Sequence, residues 1–319
     1  MNSLIDWVLD DSELERLVLK SETLTVDVLP ELGGKIASIR RNGIELLQQP
    51  LQPYALRDMT MGFEDSDASG FDECLPSVAA CEIESPFGGI AIPDHGEFWR
   101  LQCEVDAHSS SAARLSATGT VLPLRLERTL RVTADTLHID YRLENTGHSE
   151  LHYIWSAHPL FAIDPGDRIL LPSSVNEVQV EGSAHNRLGP RGSIQSWPAV
   201  TLADGSTADL SLAGEATDDT GDKVYAVAPT EGWCAIERRE PGLLVRVEFD
   251  PTLSPYLGLW LCYGGWPEGR ENRQNCVALE PCTGPADSLA TAMAHGWAMS
   301  LAPGQSSSWW MRIETSVVS

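Results

Sequence analysis

The sequence is short of positive charge. Lysine and arginine number 22 against 46 aspartates and glutamates, a formal net charge of −24 at pH 7. Nucleic-acid binding needs Lys/Arg stripes facing phosphate, so this balance argues against nucleic acid and, for the same reason, against an anionic membrane surface. A small anion held by a few local arginines stays open, but neutral polyhydroxylated or cationic ligands fit more easily. No apolar run approaches the ~18 residues of a transmembrane helix. Met1 to Lys20 carries Asp6, Asp10, Asp11, Glu13 and Glu15 where a secretory signal needs basic and then apolar residues. Cysteines are few, seven in all, odd in number and without a CxxC pair, which reads as free buried thiols in a reducing compartment. A cytoplasmic location is therefore expected. Helical periodicity is confined to the acidic start, which is compatible with a helix, and to Leu289–Ala294. There is no fixed-period repeat and no low-complexity linker.

What the chain does have is alternation. Hydrophobic residues make up 42% of its 319 residues and charged residues 21%, the balance of an ordinary soluble globular protein. Leu24, Val26 and Val28 alternate with Thr25 and Asp27, the period-2 pattern of a half-buried strand. Asn42-Gly43 is a strong hairpin signal. From Trp99 alternation predicts another strand. Leu124, Leu126, Leu130 and Val132 face away from Arg125, Glu127, Thr129 and Arg131. After a turn at Thr133–Thr136, Leu137, Ile139, Tyr141 and Leu143 repeat the pattern, which predicts an antiparallel hairpin with one wet face. Further strands read at Leu151–Ser156, Val224–Ala228, Trp233–Arg238, Leu243–Phe249, Tyr256–Tyr263 and Trp309–Glu314. Short strands without a βαβ rhythm predict an all-β fold, a large antiparallel β-sandwich forming one domain over residues 1–319.

Candidate chemistry sits where polar groups stand beside glycine or proline. In Asn275–Pro285 a strand carries Glu280 and is expected to stop at Pro281, presenting a carboxylate at a strand end. His158 precedes Pro159 in the same way. A histidine and a glutamate near neutral pH make a usable acid/base pair, although taken singly each is more often a structural or surface residue. Asp94-His95-Gly96-Glu97 and Thr220-Gly221-Asp222-Lys223 supply further polar groups. Asp65-Ser66-Asp67-Ala68-Ser69-Gly70 copies the first half of a calcium loop, but its twelfth position is Pro76 instead of glutamate, which favours a solvated acidic loop. Chelation by His95, His158 and Glu280 lacks HxH or HExxH spacing. No metal and no cofactor is expected.

Taken together these motifs resemble the aldose 1-epimerase (galactose mutarotase-like) superfamily, over most of the chain. Leu32–Ile39 with Asn42–Leu47 is similar to its N-terminal block. Asp94–Trp99 is similar to its first histidine motif, Ser156–Phe161 to its second and Leu279–Gly284 to its glutamate motif. Ala302–Gln305 with Trp309 and Trp310 is similar to its closing strands. Each motif alone is weak; their order and spacing together are more specific. The resemblance implies a β-supersandwich that opens and recloses a sugar ring at the anomeric carbon. Glu280 would be the base at the C1 hydroxyl, and His158 the acid at the ring oxygen. His95 would bind near the reacting oxygen, and Asp222 would orient sugar hydroxyls. Trp260 or Trp266 can stack on a sugar face or pack in the core. Asp222 is followed by Lys223 where galactose-type members usually have histidine. Gly70–Pro76 stands where such members carry substrate arginines, so Asp72 and Glu73 are candidates for sugar hydroxyls and Arg57 and Arg100 are the nearby cations. The expected partner is a small-molecule sugar, handled by a monomer or homodimer. A non-catalytic carbohydrate-binding protein and a hexose-6-phosphate 1-epimerase are the alternatives.

Overall fold

The computed structural model describes residues 14–85, 88–227 and 231–318. Two antiparallel sheets dominate. The larger has eleven strands in the order Leu17–Lys20, Leu24–Leu29, Lys35–Arg41, Phe71–Cys74, Ser156–Ala162, Asn275–Cys282, Tyr256–Tyr263, Thr220–Ala226, Glu177–Ser183 and Ile194–Ser196, with Ile44–Glu45 paired onto Lys35–Arg41. The smaller has eight, in the order Arg168–Leu170, Trp233–Arg238, Leu243–Phe249, Ser306–Val317, Thr136–Asn145, Leu124–Thr133, Ala112–Thr118 and Glu104–His108. The predicted all-β antiparallel sandwich is the architecture found. No helix among the described residues is long and apolar enough to cross a membrane.

Alternation builds the core. Val26, Ile39, Leu259 and Leu279 of the larger sheet and Leu124, Ile139, Val245 and Ile313 of the smaller are buried in one continuous cluster. Burying each such side chain contributes about 1.5–3 kcal/mol. The predicted hairpin forms with Leu124 opposite Asn145 and Thr133 opposite Thr136, and Ala134 takes a left-handed φ of 46° at the turn. The Asn42-Gly43 turn also forms, both residues at positive φ. Ser288 caps the helix Leu289–His295, accepting from the Thr291 N–H, and Gly296 ends it at φ 72°.

The acidic start, compatible with a helix, falls largely on residues 1–13, which lie outside those described, and Leu17–Lys20 is a strand. Two expectations are corrected. No strand begins at Trp99, which sits in a short turn, Phe98–Arg100, and the next strand starts at Glu104. The reason is local: Arg57 and Arg100 lie over the Trp99 ring at 4.4 Å and 4.3 Å, and the indole N–H bonds the Asp94 and Gly96 carbonyls. Nor do the prolines stop their strands. Pro159 lies inside Ser156–Ala162 and Pro281 inside Asn275–Cys282.

One charged pair joins the sheets. Arg128 has the inward parity of the hairpin's apolar face and is buried, its Nη1 donating to Glu73 Oε1 at 2.8 Å. Glu73 also accepts from the Tyr141 hydroxyl at 2.9 Å and the Trp155 indole N–H at 2.7 Å. Burial raises the Glu73 carboxyl, against the pull of Arg128. Glu73 is therefore a core residue between the sheets and not a sugar ligand. Arg128→Met leaves this carboxylate buried and unpaired, which is expected to cost about 3–5 kcal/mol in urea unfolding. A loss under about 1 kcal/mol would show that the pair does not hold the sheets together.

Candidate active site

The strands Ser156–Ala162 and Asn275–Cys282 are neighbours in the middle of the larger sheet. Ser156 pairs with Cys282 and Leu160 with Ala278, a register that sets His158 opposite Glu280. At the rows in between, where neither Pro159 nor Pro281 has an N–H to donate, the ladder is not closed. His158 Nε2 lies 3.8 Å from Glu280 Oε1. On the other flank Gly258 faces Glu280, and a Cβ there would come within 3.2 Å of Glu280 Oε2. The next strand turns Lys223 onto the same face, where its ammonium donates to Glu280 Oε2 and stands 3.8 Å from Asp287. Ser156 Oγ donates to that same Oε2 at 3.2 Å. One carboxylate oxygen is thus fixed, while Oε1 is buried and has no partner.

These contacts set the protonation balance. Burial raises the Glu280 carboxyl above its ordinary range despite Lys223. Burial works against the Lys223 ammonium too, but the Glu280 and Asp287 carboxylates raise it and keep it charged. His158 is held well below 6.5, first by burial and then by His95, Lys223 and Lys35. Its imidazole is accordingly neutral at pH 7.

Above this row is a pocket of about 210 Å³, lined by Glu280, His158, Lys223, Phe63, His95 and Trp260 among others. Phe63 stacks on His95 with centroids 4.2 Å apart and meets His158 edge-on at 5.1 Å. His95 takes a φ of 56°, and its Nδ1 lies 3.0 Å from Asp94 Oδ1. The Trp260 indole N–H donates to Gln274 Oε1 at 2.9 Å, and Gln274 Nε2 donates onward to the Ala68 carbonyl. The pocket therefore offers an aromatic wall, two imidazoles and one free carboxylate oxygen.

No protein-family model and no curated protein matches the sequence. Solved structures match the fold. The Slr1438 protein from Synechocystis sp. PCC 6803 superposes with a TM-score of 0.72 at 16% identity, over 99% of this chain and 100% of its own. A galactose mutarotase related enzyme from Lactobacillus acidophilus gives 0.66 at 14% identity, over 95% of this chain and 98% of its own. The GalM/aldose epimerase homologue from C. elegans gives 0.67 at 15% identity, over 96% and 100%. The chain has the galactose mutarotase-like fold.

In this galactose mutarotase-like sandwich Glu280, His158, His95 and Trp260 come together at one pocket, and Trp266 joins them. The other candidates do not line it. Asp222 alternates with Lys223, so it points to the opposite face, where it is buried against Arg187 Nε at 2.9 Å and Ser183 Oγ at 2.6 Å. Asp72 shares a row with His158 but is enclosed by Lys35 at 2.6 Å and Arg57 at 3.0 Å. Arg57 is buried in that ion cluster, and Arg100 is spent on backbone carbonyls. The solvated acidic loop expected at Asp65–Gly70 is corrected as well: from Ser66 on the segment is buried, with Asp67 paired to Lys35 and Arg57, and only Asp65 is exposed, beside Arg270.

Lys223 entered the sequence reading as a member of a polar stretch and as a departure, without a role of its own, and Phe63 and Asp287 did not enter it. Strand parity was the available signal for Lys223, since it lies two residues from Tyr225, whose hydroxyl bonds Asp287 on the pocket face. Among the described residues, one group is placed to share a metal ion: Cys74, His95 and His158, with donor atoms within 4.8 Å of one another. Burial holds the Cys74 thiol well above 9.0, so a metal must first displace its proton.

The depressed His158 leaves a signature in stability. Below its ordinary 6.5 the unfolded chain binds a proton that the native site refuses, so this contribution is complete above 6.5 and is lost as pH falls towards the folded value. His158→Asn is therefore expected to lower Tm less steeply than wild type between about pH 6.5 and pH 5. Parallel Tm curves for the two proteins would refute the assignment.

Proposed function

We propose that the chain is an aldose 1-epimerase that interconverts the α and β anomers of a free sugar. The observation that carries this reading is the free, buried Glu280 Oε1 3.8 Å from His158 Nε2, with Oε2 anchored by Lys223 and Ser156. A hemiacetal holds its two oxygens on one carbon, so two proton-handling atoms this close can serve O1 and O5 together. Glu280 Oε1 takes the proton from the C1 hydroxyl, the C1=O bond forms, and the C1–O5 bond breaks. O5 then receives a proton from His158 in its protonated form. Rotation about C1–C2 and reclosure with the roles exchanged deliver the other anomer.

Each turnover needs one proton shared by the pair, on His158 at the start and on Glu280 after opening. Burial raises Glu280 and lowers His158, so their proton affinities converge. Shifts that draw the two affinities together suit a proton that must travel both ways. Lys223 opposes the effect of burial and favours the ionised carboxylate that the first step requires. Among the described residues it is also the only Lys or Arg lining the pocket, and Glu280 already engages it. That supports an uncharged sugar over a 6-phosphate.

Anomer exchange followed by NMR over a sugar panel tests the reading. Glu280→Gln and His158→Asn are each expected to lower kcat by about 10²–10⁴. Exchange at the wild-type rate in both variants would sink the catalytic assignment, and tight sugar binding without acceleration would favour a binding protein on this fold. Lys223→Met removes the charge opposing burial at Glu280. The acid limb of its kcat/KM profile is expected to move to higher pH; an unmoved limb would mean that Lys223 does not tune the base.

A further inference from the structure

Beside the pocket lies a wider cleft of about 550 Å³, and the two share Trp260 and Trp266 as their common wall. Glycine shapes the cleft. A Cβ on Gly221 would come within 3.0 Å of the Trp260 ring, so glycine lets the indole lie against the strand. Gly182 sits at the bulge where Glu177–Ser183 slips register against Thr220–Ala226, and a Cβ there would meet nothing within 4 Å. The polar side is Asp219, which holds both His185, at 3.2 Å, and Arg273. These three are partly or largely exposed and offer donors and acceptors without a net excess of positive charge.

The arrangement has a direction. Glu280 is fully buried, whereas Trp260 and Trp266 are half-buried and face both spaces. A ring with C1 at Glu280 therefore extends its far end towards the tryptophans. One pyranose fills a 210 Å³ pocket and leaves the 550 Å³ cleft empty. Indole faces match the apolar face of a second pyranose, and a carboxylate flanked by an imidazole and a guanidinium matches its hydroxyls.

We infer that the substrate is a reducing oligosaccharide, a disaccharide at least, whose reducing-end ring sits at Glu280 and whose next ring occupies the cleft across Trp260 and Trp266. The orientation rests on the epimerase reading; the cleft does not.

Maltose, cellobiose and lactose all end in glucose, so glucose is the internal reference. Anomer exchange is expected to show kcat/KM at least tenfold higher for one of these disaccharides than for glucose. Gly182→Trp fills the cleft and is expected to raise the disaccharide KM at least tenfold more than the glucose KM. Arg273→Ala, on the exposed side, supplies the same ratio if Gly182→Trp does not fold. Equal kcat/KM for glucose and all three disaccharides, or equal KM changes in the variants, overturns the inference. If no sugar is exchanged, tryptophan fluorescence titration decides: tighter binding of a disaccharide than of glucose keeps the cleft and removes the epimerase reading, and equal binding removes the cleft.

Discussion

The arrangement of the site depends on burying one carboxylate in the middle of a sheet. Glu280 has no exposed surface, and desolvating an ion costs several kcal/mol unless partners offset it. Lys223 and Ser156 satisfy one oxygen and leave the other unmatched. A folded protein rarely keeps a buried polar atom without a partner, and this one belongs to a residue that lines the pocket. Lys223 thus permits Glu280 to be buried and ionised at once, while Gly258 leaves the space the carboxylate occupies. Burial that had no such partner would drive the carboxyl to its neutral form.

Much of this was legible in the sequence. The alternation of the Leu124–Glu144 region gave both strands of the hairpin and their inward faces, and Asn42-Gly43 gave a turn. Glu280, His158 and His95 were singled out from residue type beside glycine or proline and from the order of motifs, and Trp260 as a ring able to stack on a sugar or pack in the core; they meet at one pocket. Such motifs mark backbone that departs from plain ladder geometry, and at His158 and Glu280 the two prolines interrupt the pairing at the row that holds the candidate pair.

What the sequence hid is mostly a matter of parity and enclosure. Asp222 and Lys223 are adjacent, and in a strand one residue of shift exchanges the faces, so a motif centred one position away selects the wrong side chain. Asp72 has the right parity and still misses the pocket, because Arg57 and Asp67 from the preceding irregular segment cover it. No local pattern announces that a loop 15 residues upstream closes over a strand. Arg128 did leave a trace, a lone charge on an otherwise apolar face. Such an interruption points to a buried partner, here Glu73 on the other sheet.

The covered acids have a consequence for the pocket they do not line. Asp72, in the row of His158, and its neighbour Asp67 are met by Lys35 and Arg57, two anions against two cations in one buried cluster. Left unpaired, a carboxylate in that row would pull the imidazole beside it towards its charged form. Neutralised in place, they leave burial as the first cause acting on His158, with His95, Lys223 and Lys35 pushing in the same direction. The imidazole is then free to gain and lose a proton instead of being locked as a cation in a salt bridge. A chain carrying a net charge of −24 thus pairs the buried acids of this row with bases, and Glu280 keeps one oxygen without a hydrogen-bond partner.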